Sequence, residues 1–166
     1  MPRNGSQLKL QRILAPVDFS ESMPGTLQCA AAFAREFGAA ITLLHVVKPD
    51  QSWITHGLAR LQLAEAVREA GECQLSRLID VLWANEIKAE AIVAIGVPHL
   101  QIVNEAREIK ADLIIMGTHG SVGVWGLFRC NTTSKVVRYA SCPVLVVPLF
   151  ERGFPVGNPV LRTFDS

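Results

Sequence analysis

The positions of apolar residues divide the chain into short apolar runs and longer amphipathic stretches that alternate. An apolar run that ends in a carboxylate covers Arg12–Asp18, and a second run, rich in β-branched residues, covers Ile41–Val47. Both runs are typical of buried strands. Between them, Glu21–Phe37 places apolar residues at helical spacing, with Pro24 in the first turn and Gly38 just past the end as a C-terminal cap. This order predicts a βαβ unit.

The same alternation continues along the chain. The further elements predicted are an amphipathic helix over about Thr55–Asn85, a strand near Ala89–Ile95, a helix over about Pro98–Lys110, a strand at Asp112–Met116, a helix over about Asn131–Ala140 and a strand at Pro143–Val147. Strands joined through helices return to the same end of a sheet and therefore pair in parallel. The predicted fold class is α/β, a doubly wound parallel sheet of about five strands with helices on both faces.

The length of the chain and the extent of the periodic region predict the domain organisation. A chain of 166 residues corresponds to one domain. We expect the folded domain to cover residues 12–149, because the periodic elements lie within those bounds. Residues 1–11 are expected to form an N-terminal arm, and residues 150–166 a C-terminal tail that is rich in glycine and proline.

Charge and hydropathy exclude several classes of partner. Sixteen Lys and Arg nearly cancel fifteen Asp and Glu, which gives no electrostatic footprint for nucleic acid or for an anionic membrane. The longest uncharged run, between Asp112 and Arg129, is interrupted by four glycines and does not fit a membrane-spanning helix. The N-terminal residues lack the apolar region of a secretory signal, so a cytoplasmic protein is expected.

The cysteines and two other side chains are expected to have structural roles. No CxxC pair and no matching histidine spacing is present, which argues against a zinc site and against a disulfide framework. We expect reduced, mostly buried thiols at Cys29, Cys73, Cys130 and Cys142. His45 lies in an apolar run and is expected to be a satisfied structural residue, and Trp83, on the long amphipathic helix, is expected in the core.

A glycine-rich segment follows the predicted strand Asp112–Met116. It begins as Gly117-Thr-His-Gly120 and passes through Gly123 and Gly126 before a helix that starts near Asn131. Closely spaced glycines let backbone N–H groups approach an anion, and a helix N-terminus adds unpaired N–H groups. This arrangement favours a phosphate cradle. A glycine-permitted loop without a ligand is the alternative, because neither GxxxxGK[ST] nor GxGxxG is present.

Three polar side chains near the predicted strand ends are candidates for chemistry. Asp18 can hydrogen-bond a ribose or an adenine, and it can equally cap the helix that follows. Ser121 does not lie in a GxSxG nucleophile elbow. His119 has no carboxylate in its own loop to fix its tautomer, so we expect a solvated side chain or a donor to phosphate rather than a general base. The sequence therefore does not predict an enzyme.

Four blocks of the sequence resemble the universal stress protein family. They are Arg12-Ile-Leu-Ala-Pro-Val-Asp18, Leu44-His-Val46, Ala111-Asp-Leu-Ile-Ile-Met-Gly-Thr-His-Gly120 and Lys135-Val-Val-Arg-Tyr-Ala-Ser-Cys-Pro-Val-Leu-Val-Val147. The resemblance covers about residues 12–149 and keeps the order and spacing of the blocks. It implies a five-stranded sandwich of the adenine nucleotide alpha hydrolase-like type, with the strand order 3-2-1-4-5.

The resemblance also implies a set of ligand contacts. The nucleotide-binding branch of the family carries G-x2-G-x9-G-[S/T] after its fourth strand; Gly117 and Gly120 match its first two glycines, whereas Cys130-Asn131 replaces the final pair. An adenosine pocket is implied at Pro16, Val17 and Asp18, with the backbone of Val46 at the adenine edge. Contacts to ribose and phosphate are implied at Met116, Gly117, His119, Gly120, Cys130, Asn131 and Thr132.

The expected function is that of a stress-response regulatory protein that binds an adenine nucleotide, which can be ATP, ADP or AMP, with or without Mg²⁺. The family commonly dimerises through its last strand, so a homodimer through Pro143–Pro148 is expected, together with protein partners that the sequence does not identify. The alternative function is a dimeric interaction scaffold of the stress response that needs no nucleotide.

Overall fold

Strands and helices alternate along the chain in the predicted order. The computed structural model describes residues 9–20, 23–49, 58–118 and 132–148. Within these residues the strands are β1 (Arg12–Val17), β2 (Ala40–Val47), β3 (Ala89–Ile95), β4 (Leu113–Gly117) and β5 (Val144–Val147). The helices there are α1 (Met23–Phe37), α2 (Leu58–Ala84), α3 (Pro98–Glu108) and α4 (Thr132–Tyr139).

The strands form a parallel sheet in the order β3-β2-β1-β4-β5, which confirms the predicted fold class and strand order. The chain adds β2 and β3 on one side of β1, and then crosses to add β4 and β5 on the other side. The strand order therefore reverses between β1 and β4. In open parallel sheets, ligands bind at such a reversal, beyond the carboxyl ends of the strands.

The two faces of the sheet are covered by different helices, because alternate residues of a strand point to opposite faces. On one face, Ile13, Ala15 and Val17 pack with buried residues of α1 and α2. On the other face, Leu14, Leu44, Ile114 and Met116 pack with Ile102 and Ala106 of α3 and Val136 of α4. The sheet is therefore a doubly wound layer between two pairs of helices.

Helix α1 ends at Phe37, directly before Gly38, as the sequence predicts. Gly38 has a φ of +68°, which a glycine adopts without steric cost, and the Ala39 amide donates to the Ala34 carbonyl over 2.9 Å. This bond closes a Schellman motif and satisfies a carbonyl of the last turn. The cap sets the direction in which the chain enters β2.

Helix α2 is much longer than the strand that it covers. Its 27 residues span about 40 Å, whereas the seven residues of β3 span about 23 Å. The backbone of the helix lies close to the sheet at Gly71, where a Cβ atom would lie 3.1 and 3.2 Å from the two methyl carbons of Val93. A larger residue at position 71 would therefore crowd the Val93 side chain of β3.

The prediction that Trp83 lies in the core is wrong. Its side chain is 59% exposed, and its indole N–H donates to the Ala89 carbonyl over 2.9 Å. Trp83 belongs to the last turn of α2, which covers the edge strand β3. Its position at the margin of the sheet leaves most of the ring in water.

The expected burial of the cysteines is only partly met. Among the described cysteines, Cys29 is buried, Cys142 is half-buried and Cys73 is exposed. Burial raises the pKa of the Cys29 thiol to about 11, so this side chain is an apolar core residue rather than a nucleophile. Cys130 lies outside the described residues.

Membrane-spanning helices and metal-binding clusters are both absent from the described residues. None of the helices in these ranges combines the length and the apolar character that crossing a bilayer requires. In the same ranges, no three His, Cys, Asp or Glu side chains come together as a metal site would need.

Candidate functional site

The carboxyl ends of β1 and β4 lie side by side where the strand order reverses. Asp18 follows the last residue of β1, and Gly117 is the last residue of β4. Two residues that the sequence assigns to a ligand site, about 100 positions apart, are therefore neighbours at one crevice of the sheet. We refer to this edge, at the carboxyl ends of β1, β2 and β4, as the switch-point edge.

Strand β2 reaches further along the switch-point edge than β1 does. The last registered pair between these strands joins Val17 to His45, whereas Val46 and Val47 are registered only with β3, opposite Ala94 and Ile95. No described residue of β1 is thus registered opposite Val46. Val46 therefore lies one residue beyond the last registered pair of β1, at the switch-point edge.

Asp18 closes a tight turn after β1. Its Oδ1 atom accepts a hydrogen bond from the Ser20 amide over 3.1 Å and another from the Ser20 hydroxyl over 2.6 Å. This is the Asx turn that aspartate forms with the residue two positions on. Helix α1 begins later, at Met23, whose amide bonds the Ser20 carbonyl instead.

Within the described residues, Asp18 is therefore not the cap of α1, and the alternative that it contacts a ligand stays open. Both hydrogen bonds that it accepts from those residues end on Oδ1, so Oδ2 is left without a partner among them. The side chain is exposed. The Asx turn thus holds one carboxylate oxygen and leaves the other accessible at the switch-point edge.

Phe19, between Asp18 and Ser20, has an unusual backbone conformation. Its φ is 56°, in the left-handed region that bulky residues rarely adopt. A backbone of this kind costs about 1–2 kcal/mol and persists only where neighbouring contacts support it. The Phe19 ring packs on the His45 ring with centroids 4.8 Å apart, which is one such contact.

The predicted adenosine-pocket residues do not all point to the same face of the sheet. Pro16 alternates with Val17, so that the two side chains point to opposite faces; Val17 is 5% exposed in the core beneath α1 and α2. Val46 packs on the other core, beneath α3 and α4. Val17 can therefore contact a ligand on the α3–α4 side only through its backbone.

Met116 is similarly restricted. Its side chain is 5% exposed and lies in the core beneath α3 and α4. Only its backbone is available at the switch-point edge. Gly117, the next residue, presents no side chain, so a ligand can approach the end of β4 closely there.

The N-terminus of α4 is held against the end of β4. The Thr133 hydroxyl donates to the Gly117 carbonyl over 3.1 Å, and Thr132 is the first residue of the helix. Thr132, the residue before Thr133, therefore lies near Gly117. His119, Gly120, Cys130 and Asn131 lie outside the described residues.

The N-terminus of α3 follows β3 at the same end of the sheet. Gly96 has a φ of +150°, and its amide donates to the Val47 carbonyl over 2.9 Å. Pro98 begins the helix, and no side-chain hydrogen bond caps it at Val97. The pKa of His99, in the first turn of α3, is lowered by partial loss of hydration and by the nearby Lys135 ammonium.

Three residues of the site escaped the sequence-based prediction. Ser20 fixes Asp18, Thr133 joins α4 to β4, and His45 donates from Nδ1 to the Val17 carbonyl over 2.9 Å. A structural role for His45 was expected and is confirmed, but its partner was not foreseen. The spacing Asp-x-Ser was a signal for the Asx turn. The other two partners are distant in sequence, so no local pattern points to them.

Comparisons with known proteins identify the family of this chain. Residues 9–148 match the model of the universal stress protein family. Universal stress protein MJ0531 of Methanocaldococcus jannaschii is 33% identical over 149 residues, which cover 87% of this chain and 85% of that protein.

Solved structures show the same fold. Protein MJ0577 of Methanocaldococcus jannaschii superposes with a TM-score of 0.76 at 28% identity, covering 85% of this chain and 97% of that one. A universal stress protein crystallised with cAMP superposes with a TM-score of 0.61 at 22% identity, covering 86% of this chain and 100% of that one. On the family match and the identity to its relatives, this chain belongs to the universal stress protein family.

Proposed function

We propose that this protein binds an adenine nucleotide at the switch-point edge and acts in the stress response as a regulatory binding protein rather than as an enzyme. The observation that carries the proposal is the state of Asp18. Its carboxylate stands at the reversal of strand order, is oriented through Oδ1 by Ser20, and keeps Oδ2 without a partner among the described residues.

The adenosine half of the proposed site is supported by β1 and β2. A carboxylate oxygen accepts well from the hydroxyls of a ribose, which suits the accessible oxygen of Asp18. The backbone of Val46 lies beyond the last registered pair of β1 and can recognise the polar edge of adenine. Pro16 offers an apolar surface on the same face of the sheet as Val46, since it alternates with Val17 along β1. The solved relative with cAMP binds a ligand that has an adenosine and a single phosphate.

The phosphate half is supported by β4 and α4. Gly117 ends β4, and the first turn of α4 is held against it by Thr133. Unpaired amides at a helix N-terminus favour an anion. We place the phosphates between Gly117 and Thr132, with His119, Gly120, Cys130 and Asn131 as proposed contacts from the sequence motif.

Mg²⁺ would accompany a di- or triphosphate rather than bind alone. Magnesium is usually held by one or two carboxylates together with phosphate oxygens and water. Of the described residues that directly follow a strand at this end of the sheet, Asp18 is the one that carries a carboxylate. The described part of the site therefore fits an ion that arrives with the nucleotide and is held by its phosphates and water, because the accessible oxygen of Asp18 is assigned to the ribose.

We further propose a homodimer through β5, using Pro143–Pro148. The two edges of the sheet differ in chemistry: β3 is flanked by Lys88 and carries exposed Glu90, whereas β5 reads Val-Leu-Val-Val. Charges discourage strand addition at an edge, and an apolar edge invites it. Helix α4, which contacts β5, also exposes 53% of both Val137 and Tyr139. Pairing of two β5 strands about a two-fold axis would cover this surface.

The test of nucleotide binding has two parts. The purified protein is denatured and the supernatant is analysed for adenine nucleotide by absorbance and mass, and calorimetry then measures ATP, AMP and adenosine on nucleotide-free protein. Asp18→Asn keeps an oxygen that accepts from Ser20 but loses the charge, so we expect a loss of about 1.5–3 kcal/mol in affinity with an almost unchanged Tm.

Asp80→Asn, at an exposed position of α2, is the matched control for removing one negative charge and should leave binding unchanged. Absence of released nucleotide, together with no heat from any of the ligands, would reject the nucleotide function and favour the nucleotide-independent scaffold. If Asp18→Asn lowers the Tm clearly as well as the affinity, Asp18 has a structural role instead.

A further inference from the structure

We propose that His45 is the positioning residue of the nucleotide site: it holds Asp18 from the opposite face of the sheet and connects that carboxylate to the packing of helix α2. The inference rests on the nucleotide site proposed above. His45 does not act on the ligand itself. It acts through the two residues that flank Asp18 in the chain, Val17 and Phe19.

The first contact fixes the residue before Asp18. His45 Nδ1 lies 2.9 Å from the Val17 carbonyl oxygen. A carbonyl oxygen only accepts, so Nδ1 carries the hydrogen and donates it. Val17 is the last residue of β1 and is registered opposite His45. The imidazole thus ties the end of β1 to β2 at the point where the two strands part.

The second contact fixes the residue after Asp18. The rings of His45 and Phe19 lie with their centroids 4.8 Å apart and their planes at 59°. Phe19 has a left-handed backbone, with a φ of 56°, and packs against the core beneath α1 and α2. The ring contact therefore supports the conformation that turns the chain after Asp18 and lets the Asx turn with Ser20 close.

Helix α2 passes beside this arrangement at Gly71. A Cβ atom added there would lie 3.5 Å from Cδ2 of His45 and 3.1 Å from a methyl carbon of Val93. The imidazole therefore lies between the backbone of α2 and the end of β1. On this proposal, a shift of α2 relative to β3 would change the space available to His45 and, through Val17 and Phe19, the position of Asp18.

Two variants separate the contacts of His45. His45→Phe keeps an aromatic ring against Phe19 but removes the donor to Val17. His45→Asn keeps an amide donor near the position of Nδ1 but removes the ring. We expect each variant to weaken ATP binding about five- to tenfold in calorimetry, the change that follows from losing one contact of about 1 kcal/mol. If either variant binds ATP as tightly as the wild type, the proposal is overturned.

A double-mutant cycle separates positioning from general damage to the fold. If His45 acts through Asp18, the loss caused by His45→Phe disappears in the Asp18→Asn background, because the charge to be positioned is already gone. The same loss in both backgrounds would mean that His45 supports the whole sheet and not Asp18, and it would overturn the proposal.

Amide hydrogen exchange provides a readout without any nucleotide. The Ser20 amide is bonded to Asp18 and should exchange faster in both His45 variants, whereas the amide of Leu14, in the middle of β1, should keep its rate. If the wild-type protein binds no nucleotide, the proposed function fails and the exchange at Ser20 still decides whether His45 orders the turn. Unchanged exchange at Ser20 would overturn the positioning role in either case.

Discussion

The hydroxyl of Thr133 donates a hydrogen bond of 3.1 Å to the carbonyl oxygen of Gly117, so the first turn of α4 is fixed to the last residue of β4. The glycine-rich segment leaves the sheet at Gly117 and enters the helix just before Thr133. The Thr133 side chain therefore connects the residues on either side of this segment. This bond fixes the N-terminus of α4 relative to the end of β4, where we propose the phosphate half of the site.

Thr133→Val removes this bond while keeping the shape of the side chain. We expect a loss of about 1 kcal/mol in the free energy of unfolding, because the Gly117 carbonyl loses its partner. We also expect a smaller preference for ATP over adenosine, since α4 is no longer fixed to β4. Urea unfolding and calorimetry measure the two effects. Thr133→Ser retains a hydroxyl and should behave like the wild type; a loss in Thr133→Ser equal to that in Thr133→Val would contradict the role of the bond.

Restoring the family motif should strengthen phosphate binding. Cys130→Gly with Asn131→Ser removes a Cβ atom near the expected phosphates and supplies a hydroxyl donor. ATP should then bind at least several-fold more tightly, with adenosine affinity nearly unchanged, because the two ends of the ligand touch different loops. Calorimetry on both ligands measures this, with Cys130→Ser alone as the control. Tighter binding of adenosine by the same factor would argue against a separate phosphate half.

The edge strand β5 provides a test of the dimer. Val146→Lys places a charge in the strand, and we expect monomer or aggregate in multi-angle light scattering, because a buried ammonium opposes strand pairing. Ala91→Lys places the same charge at an exposed position of the other edge strand, β3, and should leave the oligomeric state unchanged. An intact dimer with full stability in Val146→Lys would reject β5 as the interface.

Two glycines in helices should respond in opposite ways to alanine. A Cβ at Gly25 of α1 meets nothing within 4 Å, so Gly25→Ala should stabilise the protein by about 0.5–1 kcal/mol through the lower entropy of the unfolded chain. Gly71→Ala should instead destabilise it by about 1 kcal/mol, because the added Cβ displaces Val93. Thermal unfolding compares them. If Gly71→Ala stabilises the protein, the Val93 side chain can move aside without a loss of packing energy, and the prediction is wrong.

The raised pKa of Glu105 should make the free energy of unfolding depend on pH. Burial and the nearby charges of Glu108 and Glu90 raise its pKa above the ordinary value of 4.5. The folded protein then binds a proton that the unfolded chain releases, so this contribution to stability is present below pH 4.5 and is lost as pH rises through the raised pKa. Glu105→Gln should remove that loss and stabilise the protein at pH 7, but not at pH 4.

Denaturant unfolding between pH 4 and pH 8 measures the effect. Glu65→Gln, at an exposed position of α2, is the control for removing one charge. The same pH dependence in the wild type and in Glu105→Gln would contradict the assignment to Glu105.

The sequence by itself determined the elements and their order. Local hydrophobic periodicity reports which residues must be buried, so it predicted β3 with the observed bounds, the start of α3 at Pro98 and the cap at Gly38. The alternation of strands and helices required parallel pairing, and the motif blocks implied the strand order that is observed. Burial patterns and helix caps depend on neighbours in the chain, which the sequence contains directly. The strand order was implied by the family resemblance.

Only the tertiary structure decided which partner each polar or aromatic side chain finds. Trp83 satisfies the helical period and yet lies mostly in water, because α2 covers the margin of the sheet. His45 and Val17 are 28 positions apart, and Thr133 and Gly117 are 16 apart. A hydrogen bond needs its two atoms within about 3.5 Å. Such distances are set by how strands and helices pack across the whole chain, which no local pattern of residues encodes.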